Sequence, residues 1–338
     1  MFLILTYTPI LNNKIKSVIN DKVYVKESLK ESLKKIYEAV VVVEDYKNDR
    51  IEATGTGFIY KKDDKYAYII TNEHVVTEEN VKVTLSNNAE EEATILGKDE
   101  YLDLAVLRIK KDNVKLVATL GTSEDLELGD TIFTVGTPIN KEYRGSITAG
   151  VLSGKDRLVD VNVKNQDTSD WLMKVLQIDA SINPGNSGGP LLNGKGEVVG
   201  ICTLKLVDSD IEGMSFAIPI EFAMNYIEKM EKGEEIKWPE LGINMANVTD
   251  TASIVNNNIA IPNNINDGVM VTEVKKNSSA SKSNLKKGDI ITEINKNQIK
   301  DIAHLRYELY KYKSGDTISI RVMRSNKEKT IKVKLIAK

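Results

Sequence analysis

The spacing of apolar and charged positions changes rhythm three times along the chain, and each change marks a structural unit. From Val23 to Ala39 the apolar residues Val25, Leu29, Leu33, Ile36 and Tyr37 recur every three or four positions among charged ones, which predicts an amphipathic helix. At Val40 the rhythm shortens. Val40–Val43, Gly57–Tyr60, Tyr66–Ile70, Val81–Leu85 and Leu104–Ile109 are short β-rich runs, separated by turn residues such as Lys47-Asn48-Asp49 and Lys62-Asp63-Asp64. The same pattern resumes at Thr131–Val135, Ser146–Ser153, Leu172–Ile178, Val198–Leu206 and Met214–Ile218. Many short strands at this spacing predict an all-β protein, and the length of the array predicts two barrels in tandem. Pro219 then opens a second helix with Phe222, Ala223, Tyr226, Ile227 and Met230 on one face. Beyond the charged stretch Glu231–Glu235 lies a mixed unit: strands, a helix over Ile302–Tyr312, and two closing strands at Thr317–Val322 and Thr330–Leu335.

Composition sharpens this division. The 338 residues are 41% hydrophobic and 28% charged, enough to build full-sized cores. The net charge of -3 conceals an asymmetry, because residues 241–338 carry 17 basic side chains against 9 acidic ones. The chain therefore divides into a tail at 1–22, a first domain at 23–233 and a second at 234–338. Basic residues of the last domain (Lys275, Lys276, Lys286, Lys287, Arg321, Arg324) read as solvated strand and turn faces, and no nucleic-acid partner is expected. Cys202 is the only cysteine, so no disulfide within the chain is possible; its apolar run Val198–Cys202 predicts a buried, inert thiol. Two histidines and no Cys/His cluster leave no metal site, and no cofactor is expected. Met1–Asn13 is uncharged and partly apolar, but shorter than a membrane span and without a basic start or small-residue cleavage site. It reads as a loose tail or the remnant of an anchor. Asn256–Asn266 is Asn-rich, reads as a mobile loop, and lacks the alternating acids of a calcium loop.

One serine stands out. Ser187 lies in Asn183-Pro184-Gly185-Asn186-Ser187-Gly188-Gly189-Pro190, where four kinds of turn-former exclude regular structure. Glycines here remove side chains that would block a substrate carbonyl. They also let backbone N–H groups of Gly185, Asn186 and Ser187 turn inward as an oxyanion hole. A serine hydroxyl needs a base, and the candidates are His74 and His304. His74 follows the apolar strand Tyr66–Ile70 directly, whereas His304 sits mid-helix in the tail domain. Asp103, set against the apolar run Leu104–Ile109, is the carboxylate that would orient the imidazole. The order His74, Asp103, Ser187 matches the chymotrypsin order. The competing nucleophile elbow of α/β-hydrolases is rejected, since Gly188-Gly189-Pro190 cannot start a helix and only His304 lies downstream.

Thr71-Asn72-Glu73-His74-Val75-Val76, Asp103-Leu104-Ala105-Val106-Leu107 and Asp179–Pro190 together resemble the three motifs of the bacterial HtrA (Do-like) serine proteases. Gly55-Thr56-Gly57-Phe58 and Met214–Pro219 resemble two further stretches of that family. The resemblance runs from about Val40 to the C-terminus. It implies a chymotrypsin-like double β-barrel followed by a small α+β PDZ domain. It further implies ATP-independent cleavage of unfolded or misfolded proteins outside the cytoplasm, with membrane anchoring in some members, chaperone character and assembly as homotrimers or larger. Thr203, Leu204 and Lys205 would then pair with the substrate backbone, and Ile182 would line the pocket for the residue before the cut. Lys205 replaces a commonly aliphatic residue.

Glu240-Leu241-Gly242-Ile243 resembles the carboxylate-binding loop of bacterial PDZ domains, which hold a peptide C-terminus added as a strand to the sheet. Leu241, Gly242, Ile243 and, on the helix, Leu305 are the implied peptide contacts. The function expected is that of a serine endopeptidase working through an acyl-enzyme in protein quality control. The alternative is a proteolytically silent chaperone or peptide-binding module on the same fold. A digestive trypsin-like enzyme fits poorly without disulfides.

Overall fold

The computed structural model describes residues 30–337 apart from 32, 35, 78–79, 139–140, 162–170, 204–212 and 263–264. Helical turns occupy the described part of 30–39, and the rest of the helix expected from Val23 lies outside the described residues. Twelve strands then form two closed six-stranded barrels. The first runs in the order β1 (Val40–Lys47), β2 (Arg50–Lys62), β3 (Tyr66–Thr71), β6 (Leu104–Lys110), β5 (Glu90–Asp99) and β4 (Asn80–Thr84). The second runs β10 (Pro190–Leu192), β11 (Val198–Thr203), β12 (Ser215–Pro219), β9 (Trp171–Ile178), β8 (Ser146–Val161) and β7 (Thr131–Gly136). Closure leaves no free sheet edge in either barrel.

Strand β1 shows how the sequence pattern maps onto this arrangement. Its four valines are all fully buried rather than alternating. Val41 and Val43 join the core of the first barrel with Ile59, Ile69, Val83 and Leu107. Val40 and Val42 point the other way and are also covered, because the strand packs on both faces, as continuous apolar runs require. The second barrel is filled by Leu126, Ile132, Leu152, Leu176, Ile178, Leu191, Val199, Cys202 and Ala217. Helix α1 (Ile220–Glu231) starts after Pro219, which has φ -56, and buries Ile220, Ala223, Ile227 and Met230. It lies so close to β5 that a Cβ on Gly97 would come within 2.8 Å of Met230 Cα. Gly97 is needed there for backbone approach.

A second compact unit comprises Glu235–Lys338 together with Leu158–Lys174, a segment that a linear division at 233 places with the first domain. Within this unit the rings of Trp171, Trp238 and Tyr310 meet at 4.6–6.2 Å between centroids. Its main sheet has the order β14 (Ile243–Asn247), β15 (Val269–Val274), β16 (Ile290–Ile294), β18 (Thr317–Arg324) and β19 (Lys327–Lys334), with β17 (Asn297–Gln298) paired to β16. A two-stranded piece joins β13 (Pro239–Glu240) to β20 (Ile336–Ala337). Three short helices, α2 (Thr251–Asn257), α3 (Ser279–Lys282) and α4 (Ile302–Leu309), each carry an N-cap side chain: Asp250, Ser278 and Asp301 accept from Ser253, Ser281 and His304 N–H. These caps satisfy donors that a helix start leaves open.

Two expectations change here. Asn256–Asn266 is in part the end of α2: the helix runs to Asn257 and closes on Asn258 in the left-handed region, at φ 51. Ile254, Ile259 and Ile261 then pack on Ala246 and Met270, apolar anchors that the Asn-rich composition hides. Helix α4 stops at Leu309 rather than Tyr312. Among the described residues no helix is long and apolar enough to cross a membrane.

Candidate active site

Asp103 follows the first barrel's β5–β6 connection in a left-handed backbone conformation, φ 51, which aspartate tolerates better than most residues. Its carbonyl accepts from Asn72 Nδ2 at 2.7 Å, an anchor that holds this conformation. The carboxylate is fully buried and lies 2.8 Å from His74 Nδ1, with His74 N–H at 3.3 Å. On its other oxygen it accepts from Thr203 Oγ1 at 2.7 Å, a residue 100 positions away in the second barrel. A carboxylate can accept from all of these donors at once. In the neutral tautomer with its proton on Nδ1, His74 donates to this carboxylate and Nε2 is the acceptor nitrogen. The His74 side chain remains about a third exposed. This is the tautomer that a general base toward a serine needs.

The Ser187 segment is held against both flanks of His74. Thr56 N–H donates to Ser187 O at 2.9 Å. A Cβ on Gly55 would lie 2.6–2.7 Å from the Val75 methyls and 3.2 Å from Ser187 O. A Cβ on Gly188 would be 3.0 Å from Asn72 N. Gly55 thus fits between Ser187 and Val75, the residue after His74, and Gly188 lies against Asn72, two before it, so bulk at Gly55 or Gly188 would separate the two segments. His304, the rejected base, caps nothing of this kind: it belongs to α4, with Nε2 3.7 Å from Glu308 Oε1, and burial holds its imidazole below the ordinary value.

The turn before Ser187 has a defined type. Asn186 N–H donates to Asn183 O at 2.9 Å, and Gly185 has φ 101. Proline at the second position and a positive-φ glycine at the third are the signature of a type II turn. The Asn186 amide is consumed inside that turn. Asn186 is therefore corrected from an oxyanion donor to a buried support of the loop, 2% exposed, between Gly185 and Ser187. Behind them, Gly188 N–H donates to Cys202 O, and Cys202 N–H to Gly189 O, both at 2.9 Å. Cys202 is buried, and desolvation pushes its thiol up to about 12. It is a packing residue against the nucleophile loop.

The remaining expected contacts divide. Ile182 is 8% exposed and joins the apolar core of the second barrel, where it can wall a pocket. The Thr203 side chain is turned inward to Asp103 rather than outward to a substrate, while its backbone pairs with Phe216. Leu204 and Lys205 lie outside the described residues. In the second unit Gly242 has φ 70 and packs against Ser278, with Leu241 O and Gly242 O accepting from Ala280 and Lys275 N–H. Leu241 and Leu305 are core residues, 3% and 1% exposed. The expected groove contact of Leu305 is corrected to packing; the partly exposed apolar side chains of β14 and α4 are Ile243, Met245 and Ile302. Asn72 and Thr56 were not singled out as site residues, although both stand inside motifs quoted above.

Known proteins place this geometry. The family profile described as a trypsin-like peptidase domain matches residues 55–201, and one described as a PDZ domain matches 239–335. With this pairing of domains and relatives described as HtrA-like serine proteases at 36% identity, the chain belongs to the HtrA-type serine protease family. It is similar to a serine protease HtrA-like protein of Staphylococcus epidermidis, 36% identical over 297 residues, covering 87% of this chain and 51% of the relative. A protein of the same description from Staphylococcus aureus is 36% identical over 288 residues, covering 84% and 37%. The chain thus spans about half or less of the length of the curated relatives it matches. Among solved structures, a serine endoprotease from Yersinia pestis superposes with TM-score 0.68 at 27% identity, covering 92% of this chain and 98% of that one. The HtrA-type protease AlgW, solved with a decapeptide, shares the fold at TM-score 0.69 and 24% identity, covering 92% and 98%.

Proposed function

We propose that this HtrA-type chain is a serine endopeptidase that hydrolyses peptide bonds of unfolded or misfolded proteins. Ser187 Oγ attacks the scissile carbonyl, and His74 Nε2 takes its proton and later delivers it to the leaving amine. Asp103 stabilises the imidazolium that forms in between. Gly185 and Ser187 N–H receive the negative charge on the carbonyl oxygen, and water then hydrolyses the acyl-enzyme. The observation that carries this reading is the fully buried Asp103 carboxylate. It bridges His74 Nδ1 at 2.8 Å and Thr203 Oγ1 at 2.7 Å, so one side chain ties the base of the first barrel to the second.

The second unit is assigned to peptide C-termini, held by backbone around Leu241–Ile243 and by the half-buried Ile243 and Met245 of β14. Action outside the cytoplasm and assembly into homotrimers belong to the same reading and rest on the family resemblance. The test is cleavage of unfolded casein by the native chain and by Ser187→Ala, with no ATP or metal added. Degradation by the native chain alone is expected. If neither chain cuts while both suppress aggregation, the protein is a holdase and the proposal fails. Equal cutting by both removes Ser187 from the mechanism.

A further inference from the structure

One buried hydroxyl of the first barrel touches the loop that would hold the oxyanion. Thr56, in β2, is fully buried. Its Oγ1 donates to Gly185 O at 2.6 Å and accepts from Thr137 N–H at 2.9 Å. The direction is forced: a backbone N–H can only donate and a carbonyl can only accept, so the single hydroxyl proton must go to Gly185. The backbone of the same residue donates to Ser187 O at 2.9 Å, and its carbonyl accepts from Thr71 Oγ1 at 2.7 Å. Thr56 therefore grips the carbonyls of Gly185 and Ser187, the two residues whose N–H groups would stabilise the oxyanion. Each carbonyl shares a rigid peptide plane with the next residue's N–H, Asn186 bonded to Asn183 O and Gly188 to Cys202 O, so both planes are pinned at two points and the Gly185 and Ser187 amides project from fixed neighbours.

We infer that Thr56 is a positioning residue for the oxyanion hole, its side-chain hydroxyl fixing the Gly185 peptide so that the Gly185 and Ser187 amides converge on one point. This rests on the proposed function above, in which those two amides are the donors. The hydroxyl also ties the turn to Thr137, the residue after β7, so the nucleophile loop, the β7 end and the first barrel share one hydrogen-bonded node. A donor aimed at the transition state acts on kcat far more than on ground-state binding.

The experiment compares the full chain with Thr56→Val, which keeps the shape and loses the hydroxyl, and Thr56→Ser, which restores it. Losing one oxyanion donor outright costs about 100- to 1,000-fold in kcat. Here the Thr56 N–H to Ser187 O bond survives, so a loss of about 10- to 100-fold is expected for Thr56→Val. KM should stay within about twofold, and Thr56→Ser should return to within about threefold of native. A peptide aldehyde, which adds reversibly to a serine hydroxyl as a tetrahedral hemiacetal, should bind Thr56→Val more weakly by a factor close to the loss in kcat. Binding of the corresponding product peptide should not change. The acid limb of the pH–rate profile should keep its midpoint, because the triad is untouched. If Thr56→Val folds too poorly to assay, Thr56→Ala makes the same comparison without adding bulk. Unchanged kcat per folded molecule, a loss that serine does not restore, or weakened product binding equal to weakened aldehyde binding overturns the inference. Failure of the proposed function looks different, since the native chain would then leave casein intact before any Thr56 variant is compared.

Discussion

Gly188→Ala is the substitution for which the structure forecasts the largest local damage. Gly188 has φ 83, in the region that L side chains avoid, and a Cβ there would clash with Thr56 O and Thr71 Oγ1. The conformational term is about 1–2 kcal/mol, and overpacking adds about 1–3 kcal/mol. A total of about 2–5 kcal/mol is therefore expected from these two terms. Relief requires the Ser187–Gly188 peptide to retreat from the first barrel by about an ångström, a displacement that costs on the order of 100-fold in rate. Two other glycines separate the contributions. Gly129 has φ 90 with nothing within 4 Å of a Cβ, so Gly129→Ala carries the conformational term alone and leaves activity unchanged. Gly194 has open space and no positive φ, so Gly194→Ala stays within about 0.5 kcal/mol of native. The assay is kcat/KM on a peptide substrate beside guanidinium unfolding followed by circular dichroism. If Gly188→Ala is no less active than Gly129→Ala and no less stable, the packing of the nucleophile loop against Thr56 and Thr71 is wrong.

Thr203→Val removes a donor from the buried Asp103 carboxylate and should lower kcat about tenfold with KM unchanged, because hydrogen bonds to charged groups contribute about 1.5–3 kcal/mol; an unchanged kcat in steady-state kinetics would count against the bridge. Arg324→Met strips a two-point ion pair from the fully buried Asp289, to which Lys286 N–H still donates. The second unit should lose about 2–4 kcal/mol in denaturant unfolding, while hydrolysis of short peptides by the first unit is unaffected. Cys202, with its thiol pushed up to about 12, should not react with Ellman's reagent at pH 8 until the protein is unfolded, when one thiol titrates. The sign of the linked pH effect follows. The folded state holds this proton to higher pH than the unfolded state, whose reference is 9.0, so the contribution is complete below about pH 9 and is lost as pH rises toward 12. Rapid labelling of the native chain at pH 8 would contradict the burial.

The local pattern of residues was enough to read ten of the twelve barrel strands, the helix after Pro219 and the two-domain order; the charged β5 and the three-residue β10 escaped it. Strand period, turn residues and proline are nearest-neighbour signals that survive in one dimension. The pairing of His74 with Asp103 was equally legible, because few residue types can be a base or an orienting carboxylate in turn-rich settings. Legibility failed where a contact bridges elements whose mutual register is set by barrel closure. Thr56 to Gly185 spans 129 positions and Thr203 to Asp103 spans 100, and nothing in the spacing says that a threonine at the end of β11 must face inward. Asn186 looked like an oxyanion donor on composition and became a turn donor once its amide met Asn183 O. Leu305 had helical spacing compatible with a groove or a core, and packing against Leu309, Ile318 and Val333 decided for the core. The grouping of Leu158–Lys174 with the second unit was likewise invisible, since a division drawn along the chain cannot join segments distant in sequence. Sequence determined which groups are present and which backbone each segment prefers. Tertiary structure alone decided which hydroxyl, amide and carboxylate face one another, because those pairings come from burying two curved sheets at once.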